Sequence, residues 1–524
     1  MFWADKIALD TETPQPSQII VVNDSKTPSG RVHVGSLRGV VIHDVIYRAL
    51  KQAGKPVKFI YGVDDYDALD TVPHYLDQEK FSPYLGFPLC NVPSPEDHAP
   101  EYAKFFMGEF LEVFDYLGIK PEIYYLRDKY RSGDINKYID IFLTKAHLVR
   151  EAYKQVSKAD RPSDWLPFHP ICENCGKIAT TVTTDYNGKE VFYTCKPHAT
   201  NYVKGCGHSG WVSPFNGNGK LPWKVEWVAK WDLVGVSIEM AGKDHSQKGG
   251  SRDVANSICR KVLAKEPPFH SPYEFILVNG TKMSSSKGVG SSAKEMASLL
   301  PPELLRFLML RTPPKTVINF SPNYETITRL FRDYDTLIAK SSGDELEGKE
   351  KAPLIYAQLE TESDQISIYR AFDISTLISL LQIPHLDIEA EIEKRSPDLN
   401  EFDWQIVRQR IAVARKWLQD YADEEEKLVL YLDQIPDRAQ EITEPQKQYF
   451  HKLIQNLEAT TNWDGDALQT LIFATSREVE LSQKEAFQAI YFAFLGKERG
   501  PKAGSLFSYL DKSFVLKRLS DVSS

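Results

Sequence analysis

An apolar run, "QIIVV" (Gln18–Val22), leads into "KTPSGRVHVGS" (Lys26–Ser36) and then "LRGVVIHDVIYRAL" (Leu37–Leu50). This succession limits the possible folds more than any other feature of the chain. The run reads as a strand over Ile19–Val22, the middle as a turn with two glycines and a proline, and the rest has helical spacing. Val57–Tyr61 and Ile123–Leu126 read as further strands. Strand, helix, strand with short connections specifies a parallel sheet. A glycine-rich strand-to-helix turn brings backbone N–H groups and a helix N-terminus to the carboxyl edge of such a sheet, where phosphate binds well. Gly30 and Gly35 allow close approach of a ligand, and His33 can donate to a phosphate oxygen. Alone, the stretch is also compatible with an ordinary turn bearing a surface histidine.

The chain has 524 residues, too many for one ordinary core. A share of 42% hydrophobic and 26% charged residues is that of a soluble globular protein. No apolar run is long enough for a membrane span, and "MFWADKIALD" does not read as a signal peptide. The net charge of −9 argues against a surface coated in positive charge, though a local basic stripe suffices for nucleic acid. Six cysteines are too few for a disulfide scaffold in a chain of this length, and the expected compartment is the cytoplasm. "LVGVSIEMAG" reads as a later strand entering a second glycine-rich turn, "GKDHSQKGG". From about Pro301 the character changes, and "DWQIVRQRIAVARKWLQDYAD" places Trp404, Val407, Ile411, Ala414, Leu418 and Tyr421 on one helical face.

A second stretch bears on the first. "NGTKMSSSKG" (Asn279–Gly288) sets Lys282 and Lys287 around three serines. Such a cationic loop can stabilise a triphosphate during in-line displacement. In this order and separation, "HVGS" (His33–Ser36) and "KMSSSKG" (Lys282–Gly288) resemble the HIGH and KMSKS signatures of class I aminoacyl-tRNA synthetases. Ser36 departs from the final histidine of the first. The resemblance covers essentially the whole chain. It implies an α/β catalytic region built on a parallel Rossmann-like nucleotide-binding sheet with a zinc-knuckle insertion, followed by an all-α C-terminal domain. The implied segments are 1–165 and 220–255 for the halves of the catalytic domain, 166–219 for the insertion, 256–320 for the junction with the KMSKS-type loop, and 321–524 for a helical anticodon-binding domain. It implies ATP-dependent activation of an amino acid and transfer to tRNA, with Mg²⁺ on the phosphates. His33, Lys282 and Lys287 would be catalytic. Thr27, Gly30, Gly35, Ser36, Gly242, Asp244, His245, Met283 and Ser284 would contact ATP.

The residues also speak to the amino acid. Glutamate-specific relatives carry an arginine on the first strand, where this chain has Asn23 and Asp24. "YGVDDYDALD" clusters Asp64, Asp65 and Asp67 beside Tyr61 and Tyr66, which suits an ammonium. "LPWKVEWVAKWDLVGV" adds Glu226 with Trp223, Trp227 and Trp231 for an alkyl chain. The pattern resembles the class I lysyl-tRNA synthetases. Asp24, Asp64, Asp65, Tyr61, Glu226 and Trp227 are the expected lysine contacts, while arginine would also suit an acidic pocket. The expected partners are tRNA(Lys), lysine and ATP, with no membrane and no DNA.

Cys172 and Cys175 form a CxxC followed by Gly176; Cys195 and Cys206 are the preferred completion of a four-thiolate set for structural zinc, with His198 or His208 as alternatives, while a redox CxxC and unliganded buried thiols are the competing readings. Cys90 and Cys259 read as core residues. The C-terminal stretch "LGKERGPKAGSLFSYLDKSFVLKRL" interleaves Lys497, Arg499, Lys502, Lys512, Lys517 and Arg518 with Phe507, Tyr509 and Phe514. It could stack on unpaired bases or pack as a core helix pair with solvated lysines. A tRNA-independent nucleotidyltransferase and a non-catalytic scaffold are the rival functions. The first would usually be shorter, and the second would have lost one of the two signatures.

Overall fold

The computed structural model describes residues 1–12, 18–278, 280, 292–342, 346, 348–359, 366–370, 372–383, 386–424 and 426–524. Lys282, Met283, Ser284 and Lys287 therefore lie outside the described residues. The chain divides into two compact units, Met1–Ser321 with Asp333–Ile368, and Pro322–Arg332 with Tyr369–Ser524.

The first unit is mixed α/β. Strand β1 (Ile20–Lys26) pairs in parallel with β2 (Val57–Val63), which pairs in parallel with β3 (Glu122–Tyr125). Helix α1 (Val34–Gln52) crosses between the first two strands. On the other side of β1, Ile238 makes a parallel bridge to Val22 and another to Phe269, so two further extended segments continue the sheet. The backbone hydrogen bonds Asn23 N–H to Ile238 O (3.0 Å) and Glu239 N–H to Phe269 O (3.0 Å) carry this pairing. The order reverses at β1, which opens a crevice at the carboxyl edge between β1 and the segment through Glu239. β1 runs four residues past the expected Val22. The polar residues Asn23 to Lys26 still pair with β2, because a strand's ladder depends on the backbone rather than on side-chain hydropathy. The later run is less regular than expected, since Leu233 ends the helix Trp223–Leu233 and Gly235 turns at φ 71° before the chain extends.

Helix α1 is buried along most of its length. Arg38, one turn in, is fully buried and donates to the carbonyls of Glu274 (2.6 Å), Phe275 (3.1 Å), Pro313 (3.2 Å) and Thr316 (3.0 Å). It thereby ties the helix to the short parallel pair Ile276–Val278 and Ile318–Phe320. At Gly39 an added Cβ would meet the Tyr273 hydroxyl at 2.5 Å, so only glycine permits this approach of the wall to the helix.

The segment 166–219, where no strand is assigned from the sequence, contains the antiparallel sheet Thr181–Tyr186, Val191–Cys195 and Ser209–Val212. Burial alternates along the first two strands, but threonines stand at several positions and mask the pattern.

The second unit is helical, and beyond Phe320 no strand occurs among the described residues. The helix Glu401–Asp420 starts at a capping box formed by Asn400 and Asp403 and buries Val407, Ile411, Ala414 and Trp417. Its face centres on Arg410 and Trp417 rather than on Trp404 and Leu418. The helices Glu444–Ala459, Gly465–Glu478, Gln483–Leu495 and Lys512–Ser523 share a core containing Tyr449, Phe450, Leu457, Phe494 and Phe507. Among the described residues no helix is long and apolar enough to cross a membrane.

Candidate active site

A cavity of about 680 Å³ opens at the carboxyl edge of the sheet, at the strand-order reversal. His33 caps α1, and its Nδ1 accepts from the Ser36 N–H at 3.2 Å. An acceptor Nδ1 leaves the ring proton on Nε2, which makes that atom a donor. The first turn of α1 holds no acidic residue, so nothing within that turn offsets its N-terminal partial charge. A Cβ on Gly35 would lie 2.9 Å from the His33 ring, which explains the glycine there. His33, Gly35, Ser36 and Thr27 line the cavity on this side, and Gly242, Asp244 and His245 line it opposite. The His245 ring sits against Trp223 and Trp227, with centroids 5.6 and 6.1 Å away. Gly30 lies in the turn but not on the cavity wall. Beyond 279–291, Ala293 N–H donates to Val32 O at 2.8 Å and Ser292 bridges His33, so the chain returns directly to the HVGS turn.

The acidic residues divide into three groups. Asp64 is paired with Lys230 at 2.7 Å, and Lys230 Nζ also reaches Ser25 Oγ at 3.1 Å. Asp67 and Glu226 share Lys220, which lies 3.0 Å from Glu226, while Thr27 Oγ1 donates to Asp67 at 2.5 Å. Burial pushes Glu226 up to about 7, against the pull of Lys220. Burial acts the same way on Asp67, but Lys220 and Thr27 hold it below the usual carboxylate range. Asp24 and Glu239 form the third group. Neither has a lysine or arginine within ion-pair distance among the described residues. Asp24 Oδ2 lies 3.5 Å from His43 Nδ1. Glu239 accepts from Asn23 Nδ2 (2.9 Å), Trp227 Nε1 (3.1 Å) and Trp231 Nε1, all neutral donors.

Asp65 does not join this cavity. It is fully buried, accepts from the Arg127 backbone N–H at 3.0 Å and pairs with the Arg127 side chain, so it joins the ends of β2 and β3. Tyr66 is likewise in the core, stacked on Tyr130 at 5.1 Å with its hydroxyl donating to Gly217 O. Trp231 is buried, with the Arg252 guanidinium 4.4 Å from its ring centroid. Asp24, Tyr61, Asp64, Glu226 and Trp227 do line the cavity. Sequence reasoning missed Glu239, Lys230 and Tyr273, which also line it. The missed signal was a single carboxylate inside the apolar run "VSIEMAG", three residues before the second glycine turn.

A separate cluster brings together the sulfur atoms of Cys172, Cys175, Cys195 and Cys206, all within 4.8 Å of one another. Cys172–Cys206 and Cys175–Cys195 are 3.6 and 3.7 Å apart. A tetrahedral zinc with Zn–S bonds of about 2.3 Å sets sulfurs about 3.8 Å apart, so the four thiols fit that ion. Gly176 (φ 74°) and Gly207 (φ 83°) make the turn after Cys175 and after Cys206. His198 and His208 are not members of the cluster. Cys90 and Cys259 are core residues.

In the second unit the core alternative prevails for much of the basic stretch. Phe507 is fully buried, and Arg518 is buried and donates to Ala493 O (3.0 Å) and Leu432 O (3.2 Å). Lys512 donates to Thr460 O (2.8 Å). Arg499, Lys502 and Lys517 remain exposed.

The family model for tRNA synthetases class I (K) matches residues 1–361, and the one for an anticodon binding domain matches residues 406–523. A protein of Methanosarcina barkeri named Lysine--tRNA ligase is 33% identical, the alignment covering 100% of this chain and 98% of that protein. Proteins of the same name from Thermoplasma volcanium and Archaeoglobus fulgidus are 32% and 33% identical, each with 99% of its length covered, by 100% and 99% of this chain.

Proposed function

The chain belongs to the class I (K) tRNA synthetases, and from that premise we propose that it is a cytoplasmic lysine–tRNA ligase whose cavity activates lysine with ATP. The observation that carries the reading is the meeting, in one cavity, of the HVGS turn, the GKDH turn and two carboxylates with no lysine or arginine at ion-pair distance among the described residues. The triphosphate lies at the α1 N-terminus with His33 Nε2–H as donor, and the nucleoside lies toward Gly242, Asp244 and His245. Free lysine carries two ammonium groups. Asp24 and Glu239 take one each, while Asp64, Asp67 and Glu226 are paired with Lys220 and Lys230 and shape the floor. Trp223 and Trp227 flank the alkyl chain. Lys282 and Lys287 would stabilise the departing pyrophosphate, with Mg²⁺ on the phosphates. Catalysis needs no protein nucleophile, because positioning and charge stabilisation supply the rate. The adenylate is then attacked by the terminal ribose of tRNA(Lys), which the second unit binds at its anticodon. Cys172, Cys175, Cys195 and Cys206 would hold a zinc ion that braces the segment 166–219 and takes no part in the chemistry.

Pyrophosphate exchange into ATP, screened over the twenty amino acids with and without tRNA, tests the reading. Lysine-dependent exchange is the expected result. Exchange with arginine instead would overturn the assignment of Asp24 and Glu239, and no exchange under any condition would overturn the reaction.

A further inference from the structure

The cavity contains a cation that nothing in the described fold neutralises directly. Lys26 is the last residue of β1 and lines the cavity. Lys230 and Lys220 each hold carboxylates at ion-pair distance. Lys26 makes no ion pair and no side-chain hydrogen bond with another described residue, and Asp24 and Asp64 act on it only at longer range. Burial lowers its pKa from the ordinary lysine value, a cost that an arriving anion would offset.

Its direction follows from the strand. Side chains alternate between the faces of β1. Asn23 and Ser25 point to one face, toward Glu239 and Lys230. Asp24 points to the other, toward His43 on α1. Lys26 shares the parity of Asp24, so it emerges on the face where α1 begins, beside the turn that carries His33 and Gly35. The cavity that Lys26 lines also holds His33 and Gly35 of the turn and the carboxylates of Asp24 and Asp64.

We propose that Lys26 is a catalytic residue of adenylate formation, its ammonium contacting both the α-phosphate and the attacking carboxylate. The inference rests on the lysine–tRNA ligase reading above. In this step a carboxylate oxygen of lysine bonds to the α-phosphorus as the bond from that phosphorus to the bridging oxygen breaks. The electron pair leaves with pyrophosphate, and no proton moves. Two anions must meet, and a cation fixed where water is excluded lowers the barrier to their meeting.

The test uses the full-length protein with ATP, Mg²⁺, lysine, total tRNA and labelled pyrophosphate. If lysine supports no exchange by the unaltered protein, with or without tRNA, the ligase reading falls and this proposal with it. Where exchange is present, Lys26→Met is expected to lower kcat about 10²-fold while KM for lysine changes by less than about threefold. Lys26→Arg, which keeps the charge, should retain at least about a tenth of kcat. Lys26→Gln replaces the Met variant if that one does not fold. The proposal is overturned if a neutral variant keeps nearly full kcat, if the Arg variant is as impaired as the neutral one, or if the loss is confined to KM for lysine.

Discussion

Glu239 accepts one amide and two indole N–H groups, and among the described residues no lysine or arginine lies within ion-pair distance of its carboxylate. Replacing it by Gln removes the charge and turns an amide NH₂ toward donors. Glu239→Gln should therefore raise KM for lysine about 10²-fold, with a smaller effect on KM for ATP, in pyrophosphate exchange at saturating co-substrate. A KM for ATP that rises as much as that for lysine would place Glu239 outside the lysine site. His270 lies behind it. Its Nδ1 faces Glu239 O at 3.3 Å, and its Nε2 faces the Ser246 hydroxyl at 3.0 Å. Burial, and then Arg252, lower its pKa to about 4. The unfolded chain binds this proton at pH 5 and the fold does not. Stability from this group is thus present above the ordinary histidine value of about 6.5 and is lost as pH falls toward 4. Allowing for partial exposure, the loss is on the order of 2 kcal/mol. Urea unfolding at pH 7 and pH 4.5 should show His270→Gln losing less stability than the unaltered protein, and equal losses would refute the assignment.

The Cys₄ segment has only a small apolar cluster of its own, centred on Cys172, Tyr193 and Cys195. With zinc proposed there, Cys206→Ser should lower the bound metal from about one ion per chain toward zero, measured by elemental analysis. Limited proteolysis should then cut within 172–206 while the far-ultraviolet helical signal stays nearly constant. A variant that keeps its zinc would point to a different ligand set. The same segment shows what could be read in advance. CxxC-Gly and two later cysteines were visible as a ligand set, because thiol spacing is written in the chain. Its three strands were not, because threonines blurred the alternation. The β1–turn–α1 unit was legible because its strand, glycine and helix signals agree within thirty-five residues. Asp65 was misplaced because adjacent aspartates look alike in sequence, and only the fold shows that Asp64 faces the cavity while Asp65 meets Arg127. Lys26 was missed because its meaning depends on the absence of nearby partners, which no local pattern records, whereas Glu239 did carry a local signal as the single carboxylate of an apolar run.

At the scale of the whole molecule, a chain of net charge −9 must bind a polyanion through a limited set of cations. In the second unit the buried Arg518 and the hydrogen-bonded Lys512 and Lys497 are committed to holding the fold together. Arg499, Lys502 and Lys517 are exposed on this unit and are the members of that stretch left for nucleic acid. Reversing two of them should weaken tRNA binding without touching the catalytic cavity. Arg499→Glu with Lys502→Glu should raise KM for tRNA in aminoacylation about tenfold near 0.1 M salt, and the difference should shrink at higher salt because phosphate contacts release counterions. Lysine-dependent exchange at saturating tRNA should keep its kcat, which separates a binding defect from a damaged fold. Mutating cations that hold the fold would lower the melting temperature first, whereas these exposed side chains contribute little to stability. An unchanged KM for tRNA in a folded double variant would move the nucleic-acid face to another surface of the second unit.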